Sequence, residues 1–181
     1  MADHEIAYFG FTGPIEPGGV GRLAGALNSA VNNGVGTVHL AFSSSGGYVA
    51  DGVYLYNHIR ALPLHLVIYN TGSVSSIAVS VFLAAQERYC SAHAMFMIHP
   101  TTMGHSDGLT ARRLQSTLDA ALADDDRTDN ILRERSAIPE DVLAARRHSE
   151  IYIPPALAVG YGFVAAVREF ALPEGQQIVQ V

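Results

Sequence analysis

Ser73, Ser75 and Ser76 fall between an apolar β-type run at 64–70 and a stretch of small residues with helical character. A serine at a strand-to-helix turn points into the cleft beyond the strand ends, and a helix N-terminus offers unpaired N–H groups to developing negative charge. Ser76 therefore has the placement of a nucleophile. The same serines are also favoured helix caps, so the segment alone leaves both roles open. His99 follows the apolar run 95–98 and precedes Pro100, which puts it at a strand end. A histidine there serves either as a general base or as a structural group. Gly46-Gly47 closes another apolar run. Such a pair can bring backbone close to a substrate carbonyl and aim an N–H at its oxygen, or it can simply turn the chain. Acyl transfer needs these three parts: a hydroxyl, a base that takes its proton, and fixed donors for the tetrahedral oxyanion.

Composition removes the competing chemistries. All 11 cationic side chains are arginine and the chain has no lysine. That excludes Ser-Lys dyads, Schiff bases and P-loop phosphate binding, each of which needs a side-chain amine. The other histidines, at 4, 39, 58, 65, 93, 105 and 148, show no HxxxH or HExxH spacing, so neither a metal nor another cofactor is expected. A net charge of −6 without a basic run argues against nucleic acid and anionic membranes. The acidic start and the lack of an 18-residue apolar window give the expectation of a cytoplasmic protein. Cys90 stands alone and is read as an apolar filler, since it has no internal partner for a disulfide.

The elements that must position Ser76 and His99 read as an alternating series. Strands are expected at 6–11, 35–42 and 64–70, with a strand or strand pair at 89–99 and a short strand at 162–167. Helices are expected at about 19–33, 50–61, 75–85, 109–135, 139–146 and 154–161, with a turn at 71–73. With 181 residues, 49% apolar content and no linker or repeat, this makes one α/β domain over 1–181 with mostly parallel pairing.

The order of these signals is more specific than any one of them. Ser44-Ser45-Gly46-Gly47, a following Gly52, Gly72-Ser73-Val74-Ser75-Ser76 and Met97-Ile98-His99-Pro100 resemble the signatures of the Clp protease proteolytic subunit (ClpP) family. Those signatures are Asn-Ser-Pro-Gly-Gly, Gly-x-Ala-x-Ser-Met-Ala and Met-Ile-His-Gln-Pro, and the likeness runs from about residue 6 to 167. It implies the ClpP/crotonase spiral of repeated β-β-α units with a protruding handle helix. It further implies a serine endopeptidase acting on peptides or unfolded proteins, with Ser76 as nucleophile, His99 as base, and the N–H groups of Gly47 and Ile77 as oxyanion donors. Counting back from Tyr161-Gly162-Phe163, the family aspartate falls on Glu150, with Asp141 as the nearest substitute. Triads with glutamate exist, and the extra methylene is absorbed by backbone placement.

Ser45 replaces the family proline, and the glutamine after the histidine is missing. The chain also starts almost at its first strand, without the axial segment through which relatives engage an unfoldase ATPase. This puts an ATPase partner in question and favours peptides or loose chains as substrates. Gly104-His105-Ser106-Asp107-Gly108 and the helix from Leu109 match the family handle, whose Leu114, Leu118, Leu122 and Ile131 either join subunits into a ring-shaped homo-oligomer or pack on their own domain. Two other functions compete: an inactive ring subunit or scaffold, and a crotonase-like acyl-CoA enzyme that needs no Ser-His pair.

Overall fold

In the second strand every alternate residue from Val38 to Ser44 is buried, which is the period-2 signature of a sheet with one face on the core. The computed structural model describes residues 5–104, 108 and 110–181. Its elements, in chain order, are β1 (Glu5–Thr12), α1 (Pro17–Asn32), β2 (Val35–Ser44), α2 (Val49–Ala61), β3 (His65–Ser75), α3 (Ile77–Leu83), β4 (Glu87–Cys90), β5 (Met95–Ile98), α4 (Ala111–Arg135), α5 (Glu140–Arg146), β6 (Ile151–Ile153), α6 (Pro155–Gly160), β7 (Ala166–Val167) and β8 (Ile178–Gln180). The sheet runs β6-β5-β3-β2-β1-β8, with β4 and β7 branching off β3. All pairings are parallel except β5 with β6.

The branch has a local cause. β3 pairs with β4 through Val67–Asn70 and with β5 through Ser73–Ser75, so its two halves serve different neighbours. Between them the β2 register jumps, with Phe42 opposite Asn70 but Ser44 opposite Val74. Ser43 Oγ fills the gap by donating to the Ser73 carbonyl at 3.1 Å. The turn expected at 71–73 is therefore a bulge inside one long strand, and α3 starts at Ile77 rather than 75.

Two further expectations need correction. The strand expected at 162–167 keeps only Ala166–Val167, because Gly162 has φ +69° and the N–H groups of Phe163 and Val164 turn back to the Ala158 carbonyl. β8 was not foreseen. All three of its residues are exposed, so burial imposed no alternation on the sequence, and backbone bonding to β1 holds it in place.

The main core joins one sheet face to α1, α2, α3 and the second half of α4. Its α1 contribution is the stripe Val20, Leu23, Ala24, Leu27 and Ala30. A smaller aromatic layer on the opposite face includes Val67, Tyr69 and Tyr89 with Phe170 against them. In α4 every buried residue lies at 125 or beyond, while Leu114, Leu118 and Leu122 are exposed. The helix therefore projects from the domain as a handle. The expected stripe divides: Ile131 packs into its own core, and the three leucines do not. His105, Ser106, Asp107 and Leu109 of the expected handle lie outside the described residues.

Candidate active site

Ser76 sits in the single residue between β3 and α3, with φ 58° and ψ −135°. Among the described residues it alone has a positive φ without being glycine. A side chain held in that conformation costs roughly 1–3 kcal/mol, which the surroundings must supply. They do so from both sides. The Ser76 N–H donates to the Met97 carbonyl at 2.7 Å, and Val79 N–H donates to the Ser76 carbonyl at 3.0 Å. On the other side lies Gly46, where an added Cβ would stand 2.6 Å from Ser76 Cβ and 3.2 Å from its Oγ. The loop after β2 lies directly on the serine, which only glycine permits.

Gly47 is fixed by Ile15. Ile15 N–H donates to the Gly46 carbonyl and Tyr48 N–H to the Ile15 carbonyl, both at 2.8 Å. The Gly47 N–H between them meets no acceptor among the described residues. Ile77 is the first residue of α3, where no intrahelical acceptor exists for its N–H. It is wedged by Gly52 of α2, whose added Cβ would come within 2.2 Å of Ile77 Cγ1.

Ser76, His99, Gly47 and Ile77 line one cavity. Strand register brings the first two together: Ser75 pairs with Met97 across β3 and β5, so the ends of these strands carry both residues. Both are half-buried, and among the described residues neither side chain has a hydrogen-bond partner. Such Ser-His pairs are often long before substrate tightens them.

Glu150 stands one step past the Ile98–Ile151 rung of the antiparallel β5–β6 pair, in line with His99. Its carboxylate is exposed and accepts from the Tyr152 hydroxyl at 2.7 Å, which raises the phenol's pKa. Asp141 is exposed in the first turn of α5 and does not line the cavity.

The residue reading missed a charged network on the cavity wall. Arg146, 4% exposed, donates to Asp129 and at 2.8 Å to Thr128 Oγ1, and lies 3.6 Å from Asp125 Oδ1. Asp125 in turn accepts from the N–H of Thr101, two residues past His99, at 2.7 Å. Arg147 holds the other Asp129 oxygen at 2.6 Å and Asp126 at 2.6 Å, which raises its pKa. The signal available in the sequence was the match of Asp124-Asp125-Asp126 and Asp129 to Arg146-Arg147, two opposite charge clusters in neighbouring helices. Ser80, also on the wall, was read only as part of a small-residue helix.

A mostly parallel α/β sheet whose strand ends bring a serine, a histidine and free backbone N–H groups to one cavity is the arrangement that acyl-transfer hydrolases use. The comparisons agree at family level. A Clp protease family model matches residues 26–170, and the chain belongs to the Clp protease family, whose members are serine endopeptidases. The ATP-dependent Clp protease proteolytic subunit 2 of Pseudomonas aeruginosa is 23% identical over 142 residues, covering 75% of this chain and 70% of that protein. A ClpP1 variant from Listeria monocytogenes matches in structure with TM-score 0.80 at 16% identity, over 90% of this chain and 91% of that one, which places the fold in the ClpP class.

Proposed function

We propose that this chain is a serine endopeptidase that hydrolyses peptides or unfolded polypeptides, with Ser76 attacking the scissile carbonyl. His99 takes the hydroxyl proton and returns it to the leaving amine, and the N–H groups of Gly47 and Ile77 receive the oxyanion charge. The observation that carries this reading is the shared cavity of Ser76 and His99 beside two unspent N–H groups, with Ser76 held at φ 58°. Glu150 completes the triad by orienting His99 once it releases Tyr152. The exposed Leu114, Leu118 and Leu122 fit a homo-oligomer joined through the handle. No described helix is long and apolar enough to cross a membrane, and the proposed setting is the cytoplasm.

The test is turnover of fluorogenic peptides by the parent, Glu150→Gln and Asp141→Asn proteins. Loss of the orienting carboxylate should lower kcat by about 10⁴-fold, as a wrong histidine tautomer does in other triads. Asp141→Asn should stay within a few-fold of the parent. The reverse pattern would transfer the role to Asp141.

One observation favours a second reading, a non-catalytic ring subunit: the Glu150 carboxylate is engaged by Tyr152 and not by His99. On that reading Ser76→Ala would equal the parent in both peptide turnover and assembly.

A further inference from the structure

The cavity beside Ser76 has a wall that an aliphatic side chain would leave unsatisfied. Apolar groups such as Ile98 and Leu132 share it with Ser80, Thr128 and Arg146. Ser80 is 3% exposed and its hydroxyl has no hydrogen-bond partner among the described residues. Arg146 is 4% exposed, and its five N–H groups are only partly spent: one bond goes to Asp129 and one to Thr128. Its Nε–H meets no acceptor among the described residues. Neither atom is sealed from solvent in the free protein, where Tyr56 Oη is the buried side-chain atom without a partner among the described residues. An apolar group that covered the Ser80 hydroxyl and the Arg146 N–H would therefore strip them of water at a cost in free energy.

Resting on the endopeptidase reading above, we infer that this cavity selects substrates whose residue before the scissile bond is glutamine, an uncharged side chain that ends in a hydrogen-bonding carbonyl. Reach favours glutamine over asparagine. Ser80 is four residues beyond Ser76 along α3, about 6 Å at 1.5 Å rise per residue. A glutamine amide lies roughly 5 Å from its own Cα, judged by carbon–carbon bonds near 1.5 Å. Charge favours the amide over a carboxylate. Asp125 and Asp129 already neutralise Arg146 and Arg147, so the wall presents donors without a net positive field. An amide oxygen can accept from the Arg146 Nε–H while its NH₂ group donates to the Ser80 hydroxyl, and both groups keep a partner when water is displaced.

The experiment compares kcat/KM for a set of fluorogenic peptides identical except for glutamine, glutamate, leucine or alanine before the bond, with a small fluorophosphonate as a separate reporter of Ser76. Glutamine should exceed leucine by about tenfold or more, the size of one buried hydrogen bond lost. In Ser80→Ala the ratio of glutamine to leucine should fall by about the same factor. Leucine equal to or better than glutamine, or an unchanged ratio in Ser80→Ala, overturns the inference. A glutamate preference overturns the uncharged part of it. If the fluorophosphonate labels Ser76 while the peptides show no glutamine preference, the specificity fails and the endopeptidase stands. If neither reports, both fall.

Discussion

The N–H of Ser76 donates to the carbonyl of Met97 at 2.7 Å, two residues before His99. Backbone bonding thus sets the serine beside the strand that carries the histidine, with no side-chain hydrogen bond between the two. The bond also helps to hold Ser76 at φ 58°, where glycine is comfortable and other residues are strained. Ser76→Gly and Ser76→Ala both remove the hydroxyl, but only the first relieves the strain. Chemical denaturation should find the glycine variant more stable than the alanine one by about 1 kcal/mol, the reverse of the usual order. Equal stability, or alanine ahead, would mean that the elbow stores no strain.

Gly52 is a residue remote from substrate whose change should reach the chemistry. Helix propensity alone would make alanine in α2 better by about 1 kcal/mol. The added methyl would stand 2.2 Å from Ile77 Cγ1, however, and overpacking a filled core costs about 1–3 kcal/mol. The clash wins, and Ile77 carries its N–H away from the proposed oxyanion position. Steady-state kinetics on Gly52→Ala should show kcat reduced by about tenfold or more with KM little changed, since the donor acts on transition-state charge. Parent-like kcat would remove Ile77 from the oxyanion hole.

The Asp129 carboxylate, fully buried, is shared by two arginines. Asp129→Asn would leave the buried Arg146 guanidinium with only the Asp125 carboxylate, 3.6 Å away, as counter-charge, so the loss should reach at most the about 3–5 kcal/mol that breaking a buried pair costs. Urea unfolding measures it directly. A loss below 1 kcal/mol would mean that the network is dispensable to the base of the handle.

A different group governs mild acid. His39 stacks on Tyr8 with ring centres 5.1 Å apart, and its Nδ1 lies 3.1 Å from the Tyr69 hydroxyl. Burial lowers its pKa, with Glu87 partly opposing the shift. The folded state therefore binds its proton less readily than the unfolded chain, whose histidine titrates near 6.5. The stabilising contribution is complete above about pH 6.5 and is lost as pH falls from there toward the lower folded value. The melting temperature should accordingly drop between pH 7 and 5, and His39→Phe should flatten that drop. Equal slopes in the two proteins would assign the acid sensitivity to other groups.

Much of this molecule was legible in its sequence, and the reasons are physical. Ser76, His99 and the glycines at 46 and 47 sit where strands end, and apolar runs, small residues and proline mark such ends strongly. The bulge at 71–73 was misread because Thr-Gly-Ser has the composition of a turn, while the register jump depends on the neighbouring Ser43 hydroxyl. β8 carries no burial signal and follows from pairing alone. The Arg146 network shows in the sequence only as two opposite charge clusters, without its burial. A buried arginine and a solvated one look alike until α4 and α5 are packed, and only packing shows which of the adjacent arginines turns inward.

The central claim is that Ser76 is a nucleophile served by His99. Reaction of the folded protein with a fluorophosphonate, with the adduct located by mass spectrometry, tests it most directly. The account predicts one adduct, on Ser76, with labelling lost in Ser76→Ala and slowed at least a hundredfold in His99→Ala. A folded protein that stays unlabelled, or an adduct on another serine, would contradict it.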